Sequence, residues 1–153
     1  MPGKIRVIAQ NRKAGFEYFI EETFQAGISL VGTEVKSMRA FKCNLTESYC
    51  LIEGGSAFID GMHISPYEHG NIFNKDPLRR RRLLLHKKEI NRLRAAVTRE
   101  GYTIIPLKAY FAGSLVKIDI AIAKGKKLYD KRETMAKKKQ TRDAEKEFRV
   151  SVR

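Results

Sequence analysis

The chain has 153 residues, 42% of them hydrophobic and 31% charged, which allows one domain with a real core and leaves little length for a second. Its formal net charge of +14 calls for a polyanionic partner, because a compact body carrying that much like charge repels itself. Nucleic acid fits best. An acidic membrane surface would also attract such a chain, but no apolar stretch approaches a membrane span and Met1 to Gln10 lacks a signal-peptide apolar run, so a cytoplasmic protein without a membrane partner is expected.

In chain order, Asn11-Arg12-Lys13 comes first, an amide able to pair with base edges beside two cations that seek phosphate. Such triplets are common and the signal is weak alone. Phe16 to Leu30 reads as apolar and aromatic strand material, interrupted at Gly27, where a bend or bulge is expected. The aromatics Phe16, Tyr18 and Phe19 could stack on bases, although strand aromatics are more often core. Gly32 to Arg39 reads as a short helix capped by Thr33, with Val35 and Met38 sharing a face.

Tyr49 to Ile52 and Ala57 to Ile59 flank Glu53-Gly54-Gly55-Ser56, a hairpin turn signature. Asp76-Pro77 opens the longest expected helix, with Gly101 to end it and Leu83, Ile90, Leu93 and Val97 as its apolar stripe. Leu84 falls about 100° off that stripe by helix geometry. Arg79 to Arg82 would then occupy the first turns, where the helix dipole disfavours cations, so the run is either a solvated charge cluster or a phosphate clamp beside an exposed Leu84. Thr103 to Phe111 and Leu115 to Ile122 flank Ala112-Gly113-Ser114, and the second run puts Val116, Ile118, Ile120 and Ile122 on one side against Lys117 and Asp119 on the other. These elements together predict a mainly β fold, a five- to six-stranded antiparallel barrel with helices packed at its ends.

Residues 124–153 hold twelve Lys or Arg against five Asp or Glu, a surplus of seven in a segment whose apolar residues are few and scattered. The expected division is therefore a barrel over residues 1–123 and a basic tail over residues 124–153, disordered in isolation and helical when bound. Lys124-Gly125-Lys126-Lys127-Leu128-Tyr129-Asp130-Lys131-Arg132 combines flexibility, dense charge and an aromatic where the barrel ends, either as an RNA contact or as a solubilising tail. Catalysis has little support. His63, His69 and His86 share no metal-ligand spacing with one another or with Cys43 and Cys50, and no nucleophile motif is present. No catalytic residue, metal or cofactor is expected, and the cysteines are expected as reduced, part-buried thiols.

The sequence also resembles a known family. Asn11-Arg12-Lys13-Ala14, Tyr18-Phe19-Ile20-Glu21-Glu22, Ala26-Gly27, Gly32 to Ser37, Asn44-Leu45 with Ser48-Tyr49, Ile64 to Tyr67, Asp76-Pro77 with Arg82 to Leu85, and Gly125-Lys126-Lys127 with Asp130-Lys131-Arg132 follow, in order, the pattern of the SmpB (small protein B) family. These are the bacterial protein partners of transfer-messenger RNA (tmRNA). The resemblance implies a small antiparallel barrel of the oligonucleotide-binding (OB) type with about three helices, no reaction catalysed, and a role in trans-translation, the rescue of stalled ribosomes. It implies contacts to the tRNA-like domain of tmRNA from Asn11, Lys13, Gln25, Lys36, Arg82 and Leu84, and Arg12 joins them as the second cation of its triplet. It further implies contacts of Lys124, Lys126, Lys127, Tyr129, Asp130, Lys131 and Arg132, with Gly125 among them, to 16S ribosomal RNA in the empty message channel at the decoding centre. A monomer on its RNA is expected. The chain departs from the pattern at Gln25, where the family usually has Glu, and at Phe41 and Cys43, where small residues are usual and Phe could not take a positive φ cheaply. The alternatives are a ribosome-associated barrel protein of ribosomal or initiation type and, less favoured, an RNA-processing enzyme.

Overall fold

In a computed structural model of the chain, the described residues are 5–68 and 74–126. They form strands β1 (Ile5–Gln10), β2 (Tyr18–Ile28), β3 (Cys43–Asn44), β4 (Tyr49–Glu53), β5 (Ser56–Asp60), β6 (His63–Ile64), β7 (Arg81–Leu84), β8 (Tyr102–Ala112) and β9 (Leu115–Gly125), with helices α1 (Ala14–Glu17), α2 (Gly32–Arg39) and α3 (Lys87–Val97). The main sheet runs β1-β8-β4-β5-β7-β2-β9, and the further pairing of β8 with β9 closes six of its strands into a ring. β1 adds to β8 beside the ring, while β3 and β6 form a separate small ladder. Every pairing is antiparallel. A mainly β barrel with three helices is thus what the described residues build.

Two hairpins form where turn chemistry placed them. Gly54 and Gly55 both take positive φ, 58° and 77°, between β4 and β5, a pair of angles glycine adopts without strain. The β8–β9 hairpin turns through Gly113 and is the longest ladder, from Tyr102↔Lys124 to Ala112↔Leu115. Ile118, Ile120 and Ile122 of β9 enter the main core with Phe24, Ala26, Ile59, Leu83 and Ile104. The opposite face of β9 is also covered: Ala123 packs with Ile105 and Ala14 of α1, so α1 closes a smaller second cluster. β9 continues through Gly125, so Lys124 and Gly125 are strand residues paired with Phe19 and Tyr18.

The expected helix from Asp76 is corrected. Asp76 accepts a bond from Leu78 N–H at 2.8 Å and its carbonyl accepts one from Arg79 N–H, which makes a turn. The chain then enters β7, between β5 (Ala57↔Leu83, Ile59↔Arg81) and β2 (Ile28↔Leu83, Gly27↔Leu84). Local helix propensity loses because β7 is the piece that closes the ring, and without it two strand edges would lack partners. The helix starts later, at Lys87, where Glu89 accepts the His86 N–H at 3.0 Å. Its apolar stripe is correspondingly shorter: Leu93 and Ala96 are buried, while Val97 is exposed.

Two smaller expectations also change. The irregularity in β2 falls between Ile20 and Glu22 instead of at Gly27. Gly27 serves close approach: a Cβ there would sit 3.2 Å from Leu84 Cβ. α2 is preceded by Val31 rather than capped by Thr33, and Glu34 takes the Val31 N–H at 3.0 Å. At its other end the Phe41 N–H bonds the Met38 carbonyl and the Lys42 N–H bonds the Ser37 carbonyl. That pair defines a Schellman ending, whose left-handed residue is usually Gly. Here it is Phe41, with φ 60°.

Candidate RNA interface

Strand alternation on β7 sorts its four residues into two pairs. Arg81 and Leu83 are buried, whereas Arg82 and Leu84 are exposed. The arginine run is sorted the same way by its partners. Arg79 bonds Glu34 at 2.6 Å, Arg80 bonds Asp60 at 2.9 Å and Glu53 at 2.6 Å, and Arg81 bonds Glu34 at 2.7 Å, the Met62 carbonyl at 2.6 Å and the Pro77 carbonyl at 3.1 Å. Arg82 alone of the four has no ion-pair partner among the described residues. A phosphate clamp of four arginines is therefore reduced to one guanidinium free to meet phosphate.

Glu34 is the hub of the buried part. Burial pushes its carboxyl up, but the hydrogen bonds from Arg79, the Val31 N–H and Arg81 outweigh that and hold it below the usual carboxylate range. It ties α2 to β7 across 47 residues of sequence.

Leu84 is exposed for a different reason than helix geometry gives. It is the outward member of a strand pair, lying over Gly27 of β2. Gln25, two residues along β2 from Gly27, shares that outer face. Register carries the face on across the sheet, from Gln25 to Asp119 of β9, to Lys108 of β8, to Gln10 of β1, and so to Asn11-Arg12-Lys13. Gln25, Arg82, Leu84 and the N-terminal triplet thus border one curved surface, with Leu84 and Gln25 diagonal neighbours on adjacent strands, roughly 7 to 8 Å apart.

Hydrogen bonding fixes the middle of this surface. The Gln25 Nε2 donates to the Tyr110 hydroxyl at 2.6 Å, and that hydroxyl donates to Asp119 at 2.8 Å. Tyr110 has one proton, and a carboxylate can only accept, so the Gln25 amide must offer its N–H side inward and its carbonyl oxygen outward. Burial raises the Tyr110 phenol, and Asp119 raises it further. Lys108 stands 3.7 Å from Asp119 and 5.3 Å from the Tyr110 ring. Strand alternation had set Lys117 and Asp119 on the side opposite the isoleucines, but the partnership with Tyr110 had no local signal.

The other expected residues are distributed unevenly. Asn11 donates its amide to the Pro106 carbonyl at 3.1 Å, so that donor shapes the turn after β1. Arg12 and Lys13 are exposed. Lys36 is exposed on α2, off the sheet, with its ammonium 5.2 Å from the Tyr67 ring. Lys124 lies 5.9 Å from the Tyr102 ring, and Lys126 reaches the Gly15 carbonyl at 3.1 Å and the Phe19 ring at 4.8 Å. Lys127, Tyr129, Asp130, Lys131 and Arg132, with the conformation expected for the tail, lie outside the described residues. Among the described residues no group of three His, Cys, Asp or Glu could hold a metal, and no helix is long and apolar enough to cross a membrane. Both cysteines are unbridged, and burial pushes the Cys43 thiol up to about 12.

A closed six-stranded barrel whose outer face offers Arg82, without an ion-pair partner among the described residues, an exposed leucine and an outward amide acceptor defines a small barrel protein of the OB type. The family model described as SmpB protein matches residues 8–150, and the chain belongs to that family. It is 58% identical over 146 residues to the SsrA-binding protein of Lachnoclostridium phytofermentans, covering 95% of each chain. It is also 58% identical over 146 residues to that of Caldanaerobacter subterraneus subsp. tengcongensis, covering 95% of this chain and 92% of the relative. Among solved structures it resembles, with TM-score 0.68 and 44% identity, a chain described under "tmRNA-SmpB: a journey to the center of the bacterial ribosome", over 82% of this chain and 92% of that one.

Proposed function

We propose that this chain is an RNA-binding protein of trans-translation that holds the tRNA-like domain of tmRNA on its barrel and brings it to stalled ribosomes in the cytoplasm. The SmpB family is one of RNA-binding proteins and not of enzymes. The observation that carries the reading is the outer face of β7 and β2, where Arg82 has no carboxylate partner among the described residues, Leu84 is 54% exposed and Gln25 aims an acceptor outward. A cation, an apolar contact and a directional acceptor are what a phosphate, an unstacked base and a base edge require.

Asn11, Arg12, Lys13, Gln25, Lys36, Arg82 and Leu84 are the proposed tmRNA contacts, with Asn11 acting partly by shaping its turn. The basic segment is the proposed ribosome contact, entering the empty message channel near the decoding centre. The proposed barrel over residues 1–123 and basic tail over residues 124–153 meet inside β9, which extends through Gly125. Lys124 and Lys126 then sit at the root of the arm, each beside an aromatic ring.

Filter binding to the transcribed tRNA-like domain tests this directly. With roughly six phosphate contacts, affinity is expected to fall about a thousand-fold between about 50 and about 200 mM salt. A chain ending at Lys126 should keep that binding and lose ribosome rescue in a reconstituted stalled-translation assay. Equal retention of random RNA of the same length, or rescue by the shortened chain, would refute the reading.

A further inference from the structure

Phe41 combines two features that are unusual in a residue serving the fold alone. It occupies the left-handed position of the α2 ending at φ 60°, the only non-glycine among the described residues to do so, and it leaves 52% of its surface exposed. Glycine would make the same two backbone bonds there without strain. An outlier of this kind points toward a use at the surface.

Its surroundings say which use. The guanidinium of Arg6, on β1, lies 5.1 Å from the centroid of the Phe41 ring and 5.4 Å from that of the buried Phe111. Arg6 is held in place by its cross-strand pairing with Phe111. It lines a cleft of about 340 Å³ together with Arg39, Phe111, Gly113 and Ser114, between the end of α2 and the β8–β9 turn. Among the described residues no carboxylate lines that cleft and neither arginine has an ion-pair partner. Most other barrel arginines are paired: Arg79, Arg80, Arg81, Arg92 and Arg99 all meet acids. The cleft is also separate from the surface described above, since Arg6 is four residues, about 13 Å, along β1 from Gln10.

We propose that Phe41, Arg6 and Arg39 form an additional RNA contact, in which an unpaired base stacks on the open face of Phe41 and the adjoining phosphate enters the cleft between the two guanidiniums. The chemistry is that of a stacking ring, already held by a cation on one face, beside a forked phosphate donor. Ser114 adds a hydroxyl to the cleft wall. The inference takes from the preceding reading only that the partner is folded RNA. That RNA has two possible sources, the tRNA-like domain and the small ribosomal subunit, and the test separates them.

The chain contains no tryptophan, so Phe41→Trp places a single indole at the site. Its emission should be quenched on titration with the transcribed tRNA-like domain or with small ribosomal subunits, and the quenching partner identifies the source. Heparin, a polyanion without bases, should leave the emission unchanged. Phe41→Gly should raise the melting temperature by roughly 3 °C through relief of strain while weakening binding to the quenching RNA several-fold. Arg39→Gln should reduce the salt slope for the same RNA by about one. Unquenched emission with both RNAs at saturation, quenching by heparin, or a Phe41→Gly variant that melts lower and binds RNA unchanged would overturn the proposal. If the wild-type protein binds neither RNA, it is the preceding reading that fails.

Discussion

Two arginine–leucine pairs alternate along one four-residue strand, and they do opposite things. Arg81 and Leu83 face inward, each at most 1% exposed, and join Glu34, the Met62 and Pro77 carbonyls and the apolar core. Arg82 and Leu84 face outward, with no ion-pair partner for the arginine among the described residues and a half-exposed leucine. Residue type therefore says nothing about role here; the parity of the position decides it. A one-residue slip of β7 would exchange the pairs and lose both the buried network and the outer face.

The largest effects are expected inward. Arg81→Ala removes one partner of a buried ion pair and leaves Glu34 and two carbonyls short of donors, so it should destabilise by about 3 to 5 kcal/mol. Leu83→Ala, which opens a cavity, should cost about 2 to 5 kcal/mol. The outward counterparts, Arg82→Ala and Leu84→Ala, should each stay within about 0.5 kcal/mol of wild-type stability. Their expected effect is on RNA instead. Arg82→Ala should weaken binding to every RNA alike and reduce the salt slope by about one. Leu84→Ala forfeits burial of roughly half a leucine, about 1 kcal/mol or five-fold in affinity. Urea unfolding beside filter binding measures both axes. Variants that fail to split this way would remove the inward–outward distinction.

Acid sharpens the same contrast, with a smaller effect. Glu34 is held below its ordinary value of 4.5 by Arg79, Val31 and Arg81 despite its burial. As pH falls, the unfolded chain takes up that proton first, so stability present above the ordinary range is lost as pH drops through the folded value. Glu34→Gln should start from a lower plateau at neutral pH and lose less on acidification than wild type. Urea midpoints at intervals between about pH 7 and about pH 3 report this, and parallel curves for the two proteins would rule out Glu34 as the responsible group.

The division between what sequence revealed and what it concealed follows the range of the interactions. The Gly54-Gly55 hairpin and the β8–β9 hairpin were legible because turn chemistry and alternation act within a few residues. β7 was not, because it is made a strand by β5 and β2, which reach it from far along the chain. Arg79 to Arg82 read as one cluster for the same reason: Glu34, Asp60 and Glu53, which claim three of the four, are 20 to 47 residues away. Leu84 was expected to be exposed, and is, although helix geometry was the wrong ground. Phe41 was the reverse case, a residue judged unable to take positive φ cheaply that nevertheless takes it, held by the two backbone bonds of the α2 ending and by Arg6.

The smallest expected effect concerns Gln25. In this chain the Tyr110 proton goes to Asp119, and the Gln25 amide donates to the same hydroxyl oxygen. Gln25→Glu replaces that donor by an acceptor, so two carboxylates then compete for one phenol proton. The competition is mild, because Gln25 is exposed and Lys108 stands 3.7 Å from Asp119. The loss of stability should be under about 0.5 kcal/mol. The Tyr110 phenol, already raised by burial and by Asp119, should rise further beside a second anion, which its ultraviolet titration would reveal. On the RNA side, the outward oxygen gains charge while remaining an acceptor, so a base amino or imino donor should be held slightly more tightly, by less than about 1 kcal/mol. A ten-fold loss of affinity would mean that the remaining amide N–H, and not the carbonyl, is what Gln25 offers the RNA.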